Sequence, residues 1–429
     1  MEGFSDTSKQ ISHDHEICIA ADPDSPAYQS GLIGGRYLGM DMKAPEYISA
    51  IGKWVQGCIS SHERCCKAIS DDSTFNPYLV ELPTRCIEVT FTGAYLRHTL
   101  GTTGSYITLS HRWTGETETV KTTSSNYQER ISGADLGPLS KNFDDAIAIA
   151  RRLGVRYIWI GSICIIQESE DWDQEKWKMG QYYEHALFTI SAVGTGHEQK
   201  EGSSFLDPSQ ARTPNSLVRL PFRQDGVRKG SVYLYRRDLN AYLLFHNDVD
   251  KSELHSRGWV FQERLLSKRI IYFTHRESFL ECSSQVPQSF CNDVVKPPLP
   301  KLEQAIQLGT FRDIPMVPRH GFKVNFTLEH DSPLDIWYTI ATSFSATSLT
   351  NQHDHLAAIS GAAFEYGQAI ENQLGNRKGN KKGKETRTTP NYLSGLWLRD
   401  IHHGLMWLRE GAPNLACLCG APSWSWLSY

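Results

Sequence analysis

Ser110, His111 and Arg112 directly follow the apolar run 106–109, and their side chains could do chemistry. A hydroxyl, an imidazole and a guanidinium at a strand end can hydrogen-bond to backbone. They can also hold a ligand, because open α/β sheets bind ligands beyond the carboxyl ends of their strands. Both interpretations stay open from these residues alone. Ser110 is not surrounded by the Gly-x-Ser-x-Gly pattern of a nucleophile elbow, so that kind of hydrolase is not indicated.

Cys58, His62, Cys65 and Cys66 form a second group whose thiols and imidazole are of the types that bind zinc. All four fall on one helix predicted over residues 45–69. Ligands one turn apart on a single helix surround a metal only when other parts of the chain contribute. We therefore interpret the group as a half-buried helix face and predict no metal site.

The elements that would position Ser110–Arg112 begin with a helix predicted over residues 142–153. Asn142 is a suitable N-cap, and Gly154 supplies the stop. Apolar residues recur at helical spacing and give the helix one apolar face: Phe143, Ala146, Ile147, Ala150 and Leu153. Further helices are predicted over residues 171–186 and 254–266.

Short apolar runs between these helices predict strands that are buried on both faces. The runs are Tyr106–Leu109, Tyr157–Ile160, Phe188–Val193 and Ile270–Phe273. Alternation of strands with helices is typical of a parallel α/β sheet flanked by helices. Residues 195–250 interrupt the alternation with prolines and two strand-like runs, which predicts an antiparallel insertion.

The whole chain is predicted to divide into four regions. In order they are a flexible N-terminal arm (1–45), a helix and strand leading into the core (46–105), the main domain (106–285, with the insertion at 195–250), and a mixed, mostly helical C-terminal region (286–429) with a basic linker (375–389). The chain stops three residues after a Trp-Ser-Trp run, which does not resemble the end of a domain and suggests truncation.

Charge and composition limit the classes of function that this chain is expected to have. A net charge of −4 gives no electrostatic reason to expect nucleic acid as the main partner. No apolar window is long enough for a membrane span, and the N-terminus lacks the regions of a signal peptide. The 10 cysteines are then expected to be reduced thiols of a cytoplasmic protein.

Several motifs in a fixed order resemble the fungal heterokaryon-incompatibility (HET) domain family, from about residue 54 to the end. They are Leu-Ser-His-Arg-Trp at 109–113, Leu-Ser-Lys-Asn-Phe-Asp-Asp-Ala at 139–146, Tyr-Ile-Trp-Ile-x-Ser-x-Cys-Ile-Ile-Gln at 157–167, Arg-Gly-Trp-Val-Phe-Gln-Glu-Arg-Leu-Leu-Ser at 257–267, Leu-Glu-Cys at 280–282 and Ala-Pro-Ser-Trp-Ser-Trp at 421–426. The resemblance implies a filamentous-fungal protein that acts in nonself recognition and programmed cell death.

Two residues depart from the family pattern. Gly161 stands where the family usually has aspartate, and Thr114 interrupts the usual Trp-Gly. The first change removes a carboxylate from the end of a central strand. The resemblance therefore leaves room for an impaired or repurposed copy.

The predicted order of strands and helices is also similar to that of TIR domains, which gives a TIR/flavodoxin-like sheet as the expected fold. TIR enzymes that cleave NAD carry their catalytic glutamate in a Trp-x-x-x-Glu segment on the helix after the third strand. Trp259 and Glu263 match that spacing and position. The resemblance thus implies Glu263 as the catalytic residue and NAD as a substrate, with no resident cofactor and no metal.

The same resemblance implies a substrate site at the strand ends. Its residues would be Ser110, His111, Arg112, Trp113, Ser162, Cys164 and Trp259. Arg112 could hold a phosphate, and Trp113 could stack on a base.

Three other interpretations remain open. Glu263 could form a surface salt bridge with Arg257 or Arg264. The protein could be a non-enzymatic signalling module that self-associates or recruits an unknown protein partner. Cys164 and His111 could form a thiol hydrolase, which requires a close contact between sulfur and imidazole.

Overall fold

The structure of this protein is a computed structural model. It describes residues 16–37, 41–67, 76–194, 204–207, 217–237, 244–289, 333–375, 391–408 and 421–428. The predicted basic linker lies outside these residues except for residue 375.

The strands are short. In chain order they are β1 (Glu16–Ala21), β2 (Gly35–Arg36), β3 (Val80–Glu81), β4 (Arg85–Val89), β5 (Ala94–His98), β6 (Thr103–Gly104), β7 (Tyr106–Ser110), β8 (Tyr157–Trp159), β9 (Thr189–Ala192), β10 (Val218–Gln224), β11 (Val227–Arg237), β12 (Arg269–Phe273), β13 (Ser278–Cys282), β14 (Gln285–Ser289), β15 (Tyr392–Leu393) and β16 (Leu396–Trp397).

The helices range from single turns to 21 residues. They are α1 (Pro26–Gln29), α2 (Pro45–Ser61), α3 (Gly115–Val120), α4 (Tyr127–Ile131), α5 (Lys141–Leu153), α6 (Gly161–Cys164), α7 (Glu170–Glu175), α8 (Met179–His185), α9 (Gly258–Leu266), α10 (Pro333–Ser345), α11 (His355–Gly375) and α12 (Ile401–Gly404). Single 3₁₀ turns cover Glu63–Cys66, Gln352–Asp354, Leu398–Asp400 and Trp426–Ser428, and a π-helical turn covers His246–Asp250.

The central sheet has eight strands in the order β14-β13-β12-β9-β7-β8-β4-β5. Its four middle strands, β12, β9, β7 and β8, are parallel, and these are the four strands that the sequence predicts. The prediction of a parallel sheet holds only for this centre, because antiparallel hairpins extend both edges. The fold is therefore mixed α/β.

Helix α5 packs its apolar face into the main core, as predicted, with Phe143, Ala146 and Ala150 fully buried. The helix begins one residue earlier than predicted, so Ser140 occupies the N-cap position and Asn142 lies within the first turn. Gly154 ends it in the left-handed conformation, with φ of 70°. A residue without a Cβ adopts this conformation at little cost, which is why glycine stops the helix here.

The helix predicted over 171–186 is divided into α7 and α8. Glu175 is buried at the break, and its carboxylate accepts hydrogen bonds from Thr84 Oγ1 at 2.8 Å, Tyr182 Oη at 2.7 Å and Lys178 Nζ at 2.7 Å. The bond from Thr84 is the one of the three that comes from outside the segment, and such a tertiary contact can outweigh the propensity of the segment to continue as one helix.

The insertion is antiparallel, as predicted, but its strands β10 and β11 continue into a separate sheet with β1 and β2. The prediction of a flexible arm is therefore wrong for residues 16–37. Asp22 anchors this segment, because its carboxylate accepts hydrogen bonds from Ser231 N and Tyr233 Oη, both at 2.7 Å. No local pattern indicates such a pairing between distant segments.

The C-terminal helices form a second apolar core that includes Trp337, Phe344 and Tyr366, and Phe261 and Leu265 of α9 pack into it. Helices α8 and α11 come very close at two glycines, since a Cβ on Gly180 would lie only 2.9 Å from Gly361 Cα. The C-terminal region is thus fixed against the helices that follow the central strands. Within the described ranges, no helix has the length and apolarity needed to cross a bilayer.

Candidate functional site

A cleft of about 430 Å³ opens at the carboxyl ends of β7 and β8. The lining comes from the ends of these strands, the segments that follow them with helices α3 and α6, helices α7 and α8, the start and middle of α9, and the segment 348–354. Among the lining residues are Leu109, His111, Trp113, Glu118, Gly161, Ser162, Trp172, Tyr183, Arg257, Trp259, Glu263, Leu349 and Asp354. Ligands of open α/β sheets bind at this edge, so the cleft is the candidate site.

Glu263 lies in this cleft and is only 8% exposed. Burial raises the pKa of its carboxyl from 4.5 to about 7, because a charged group loses solvation there. The hydroxyls of Ser110 and Tyr183 and the positive charge of Arg257 lower this pKa, although they do not cancel the effect of burial. Oε2 of Glu263 has no hydrogen-bond partner of ordinary geometry among the described residues.

Neither candidate arginine forms an ion pair with Glu263. Arg264 turns to the other side of α9, where its Nη1 lies 2.8 Å from Asp250 Oδ1. Arg257 precedes α9 and lines the cleft; burial lowers its pKa, and no carboxylate pairs with it in the part of the chain that the structure describes. Glu263 therefore has no ion pair at contact distance with either arginine, although the charge of Arg257 still acts on its carboxyl, and Arg257 faces the cleft where an anion could bind.

His111 is 7% exposed, and its Nδ1 lies 2.9 Å from the carbonyl oxygen of Arg112. Burial lowers the pKa of this imidazole to about 4. The ring is therefore neutral at physiological pH, and a carbonyl partner assigns the proton to Nδ1, which leaves Nε2 as an acceptor. The ring packs edge-on against Phe143 at 4.8 Å between centroids.

Three tryptophans supply flat apolar surface. Trp172 and Trp259 meet edge to face with centroids 5.4 Å apart, and Trp113 stacks on His111 at 6.5 Å. Trp259 is held from outside, because its Nε1 donates to Asp354 Oδ2 at 3.4 Å. Such rings suit a planar ligand.

Two buried hydroxyls lie at the strand ends. That of Ser110 is close enough to Glu263 to lower the pKa of its carboxyl, whereas Ser162 Oγ has no partner of ordinary geometry among the described residues. Ser162 lines the cleft, and because buried polar groups are nearly always paired in native proteins, its oxygen points to a bound ligand or water.

Of the predicted residues, Ser110, Arg112 and Cys164 do not line the cleft. The guanidinium of Arg112 points outward and forms an ion pair with Glu253 at 2.7 Å. Cys164 does not line the cleft, and burial raises the pKa of its thiol to about 12. No hydrogen bond joins Cys164 to His111, both of which the structure describes, so the geometry does not support a thiol hydrolase.

Gly161 lines the cleft at the point where the family pattern has aspartate. A Cβ here would lie 3.3 Å from Trp159 Cη2, which is a tight contact. The side chain of an aspartate at position 161 would therefore lie against the large buried ring of Trp159 in the preceding strand.

Sequence reasoning missed Arg257, Trp172, Tyr183 and Asp354. Trp172 and Tyr183 contact the main core and also face the cleft. Asp354 belongs to a region that was assigned to a separate C-terminal part of the chain. No sequence pattern near Asp354 indicates that this region forms a wall of the cleft.

The fold and the site together define a mixed α/β protein with a ligand-sized cleft at the ends of its parallel strands. Residues 106–263 match the family model described as Heterokaryon incompatibility protein (HET). The match begins at the first residue of β7 and ends at Glu263, so it spans the parallel strands β7, β8 and β9 and the candidate glutamate. The HET resemblance is confirmed for this stretch. Comparisons with curated proteins and with solved structures gave no match.

Proposed function

We propose that this protein is a fungal heterokaryon-incompatibility protein of nonself recognition whose HET domain cleaves the bond between nicotinamide and ribose in NAD. The observation that carries the proposal is Glu263, a buried carboxylate with an unpaired oxygen that faces a ligand-sized cleft. Programmed cell death would follow from the loss of NAD.

The chemistry needs little from the protein beyond a well-placed negative charge. As the carbon–nitrogen bond breaks, its electron pair leaves with nicotinamide, and positive charge develops on the ribose. The ionised carboxylate of Glu263 stabilises that charge, in the manner of a glycoside hydrolase. Water then adds to the ribose carbon and releases a proton, for which His111 Nε2 is a nearby acceptor.

The remaining groups of the cleft suit the rest of the substrate. The guanidinium of Arg257 can bind a pyrophosphate oxygen by charge-assisted hydrogen bonds. Trp113, Trp172 and Trp259 offer ring faces to nicotinamide or adenine. A small cleft lined by aromatic rings with a few convergent polar groups is typical of nucleotide-sized ligands.

The strand order supports a TIR-like relationship. Numbered along the chain, the parallel strands β7, β8, β9 and β12 lie in the spatial order 2-1-3-4. Flavodoxin-like sheets share this order and bind ligands beside their first strand. Glu263 lies on the helix between the third and fourth of these strands, which is the position that the TIR resemblance implies.

The direct test is incubation of the purified full chain with NAD and measurement of free nicotinamide. Glu263→Ala is expected to lower the rate at least about 100-fold, a typical loss for a group that stabilises transition-state charge. Glu129→Gln, an exposed change on α4, serves as the matched control. Equal rates for the wild type and Glu263→Ala would refute the proposal.

Arg257→Gln is expected to raise KM for NAD about tenfold or more while kcat changes little, because this residue would bind the pyrophosphate rather than the reacting atoms. Steady-state kinetics separate the two constants. Arg223→Gln, on the exposed strand β10, is the control. A fall in kcat at unchanged KM would contradict this role.

Gly161 favours a second candidate function, a non-enzymatic module whose surfaces recruit an unknown protein or a second copy. In that case the wild type would release no nicotinamide. Gly161→Asp, which restores the acid of the family pattern, would then be expected to raise nicotinamide release above background. Turnover by the wild type would remove the reason for this candidate.

A further inference from the structure

Four side chains from two distant parts of the chain meet far outside the candidate cleft. The ligand atoms of Cys58, His62, Cys65 and Cys282 all lie within 4.8 Å of one another. Cys282 Sγ and His62 Nδ1 are 3.5 Å apart, although 220 positions separate them in the sequence. Three thiols and one imidazole form a donor set that zinc prefers.

The end of helix α2 explains why three of these residues converge. The helix stops at Ser61, His62 takes an extended conformation with φ of −110° and ψ of 92°, and a 3₁₀ turn follows over Glu63–Cys66. The change of direction brings Cys65 back to Cys58 on the last turn of α2. Cys66, the other thiol of the turn, instead points to the carbonyl oxygen of Ile59 at 3.4 Å.

The fourth ligand comes from the central sheet. Cys282 is the last residue of β13 and is completely buried, as is Cys65, while Cys58 is 2% exposed. Ligands on one helix cannot surround a metal by themselves, and strand β13 supplies the ligand from another part of the chain. A site with four protein ligands, of which the three thiols are buried and His62 is half-buried, is closed, which is typical of structural zinc.

The separations agree with tetrahedral coordination. Zinc–sulfur bonds of about 2.3 Å and zinc–nitrogen bonds of about 2.0 Å place neighbouring ligand atoms roughly 3.5–3.8 Å apart. The contact of 3.5 Å between Cys282 and His62 has this length, and the 4.8 Å limit on the other pairs leaves only a small adjustment.

The surroundings balance the charge of such a site. Three thiolates and Zn²⁺ carry one net negative charge, and the fully buried guanidinium of Arg269 lies next to them. Its Nη2 donates to Cys65 O at 2.8 Å and lies 3.8 Å from Cys66 Sγ. Ser284 Oγ, 3.4 Å from Cys65 Sγ, is placed to donate to a bound thiolate. Outer-shell donors of this kind are usual around metal-bound sulfur.

We infer that Cys58, His62, Cys65 and Cys282 bind one zinc ion, which joins the end of α2 to strand β13. The role is structural, because the ion has no open coordination position and lies away from the cleft. It fixes the helix that precedes the HET-matching segment to the strand that follows it.

The test is elemental analysis of the full chain purified without chelators. About one zinc per chain is expected, and Cys282→Ser is expected to retain at least roughly tenfold less. Cys66→Ser is the matched control, since it removes a thiol from the same turn that does not face the cluster. It is expected to keep its zinc.

A second measurement covers the case in which Cys282→Ser does not fold. Wild-type protein stripped of metal and given Co²⁺ is expected to show the visible absorption of tetrahedral cobalt bound to thiolates. Wild type without zinc and without this cobalt spectrum would overturn the inference. So would zinc retained at wild-type level in folded Cys282→Ser, or a disulfide among Cys58, Cys65 and Cys282 in the native protein.

Discussion

Glu263→Gln is expected to make the protein more stable at about pH 8 while it abolishes nicotinamide release. The two effects have one cause. The site keeps a carboxylate where water cannot solvate it, and glutamine has the same shape without the charge. Active sites often carry such a cost in stability.

The size and sign of the stability change follow from the pKa. The carboxyl has a pKa of about 7 in the folded protein and 4.5 as its ordinary value, so between these values the folded state binds the proton more tightly than the unfolded state. Stability from this group therefore falls as pH rises from about 4.5 to above 7, by about 3 kcal/mol in total. Glu263→Gln removes the ionisable group and therefore also this loss of stability at high pH.

Thermal unfolding at several pH values measures the effect. The expected gain for Glu263→Gln is a few degrees at about pH 8 and close to none near pH 5, where the wild-type carboxyl is mostly protonated. Glu129→Gln, an exposed change, is expected to leave the melting temperature unchanged at both values. A gain that does not depend on pH would show that ionisation of Glu263 is not its source.

Arg264→Leu is expected to destabilise the protein by about 3–5 kcal/mol, since it breaks a buried ion pair and leaves a buried charge behind. The side chains of Arg264 and Asp250 are 8% and 7% exposed, and Nη1 lies 2.8 Å from Oδ1. The guanidinium also packs over Phe245 at 5.4 Å and Tyr272 at 5.5 Å. Leucine would leave the buried carboxylates of Asp250 and Glu281 without this cation, although Asp250 Oδ2 would keep its contact of 3.2 Å with His246 Nδ1.

Denaturant unfolding compares this variant with Arg156→Met. Arg156 also pairs with a glutamate, Glu88, at 2.6 Å, but its side chain is 67% exposed. Loss of an exposed pair costs less than about 1 kcal/mol. Similar losses in the free energy of unfolding for the two variants would show that burial does not increase the contribution of the Arg264 pair to stability.

The sequence predicts the central strands well because each is coded locally. Runs such as Tyr106–Leu109 and Ile270–Phe273 are continuously apolar, and the strands observed there differ from the predictions by one residue. The alternation of these runs with helices is enough to indicate an α/β fold. Strand β5, Ala94–His98, escaped notice because its exposed edge position mixes polar and apolar residues.

Contacts between distant segments could not be predicted in the same way. From the sequence, strand β1 is indistinguishable from a polar arm, because its structure depends on pairing with β11. In the same way, Cys58 is indistinguishable from a residue on a helix surface, because its role depends on Cys282 of β13. In both cases the deciding partner lies more than 200 positions away. A single sequence holds no local pattern for such pairings.

Some residues of the candidate site could be predicted from the sequence, and others could not. Glu263 and Trp259 could be selected from their spacing and resemblance, and His111, Trp113 and Ser162 from their places at strand ends. The outward turn of Arg112 could not be predicted, because it depends on an ion pair with Glu253, in the turn that follows the insertion. The sequence indicates Arg257 only as a salt-bridge partner of Glu263, whereas in the structure this residue lines the cleft.

The wall of the cleft formed by residues 348–354 has a consequence for synthesis of the chain. The ribosome makes Glu263, Trp259 and His111 well before this segment, so a nascent chain holds the reactive carboxylate beside an unfinished, water-filled site. Electrostatic stabilisation of a transition state weakens when water enters. For a protein proposed to destroy NAD, the toxic activity would thus begin only after residues 348–354 have been translated and have packed against the cleft.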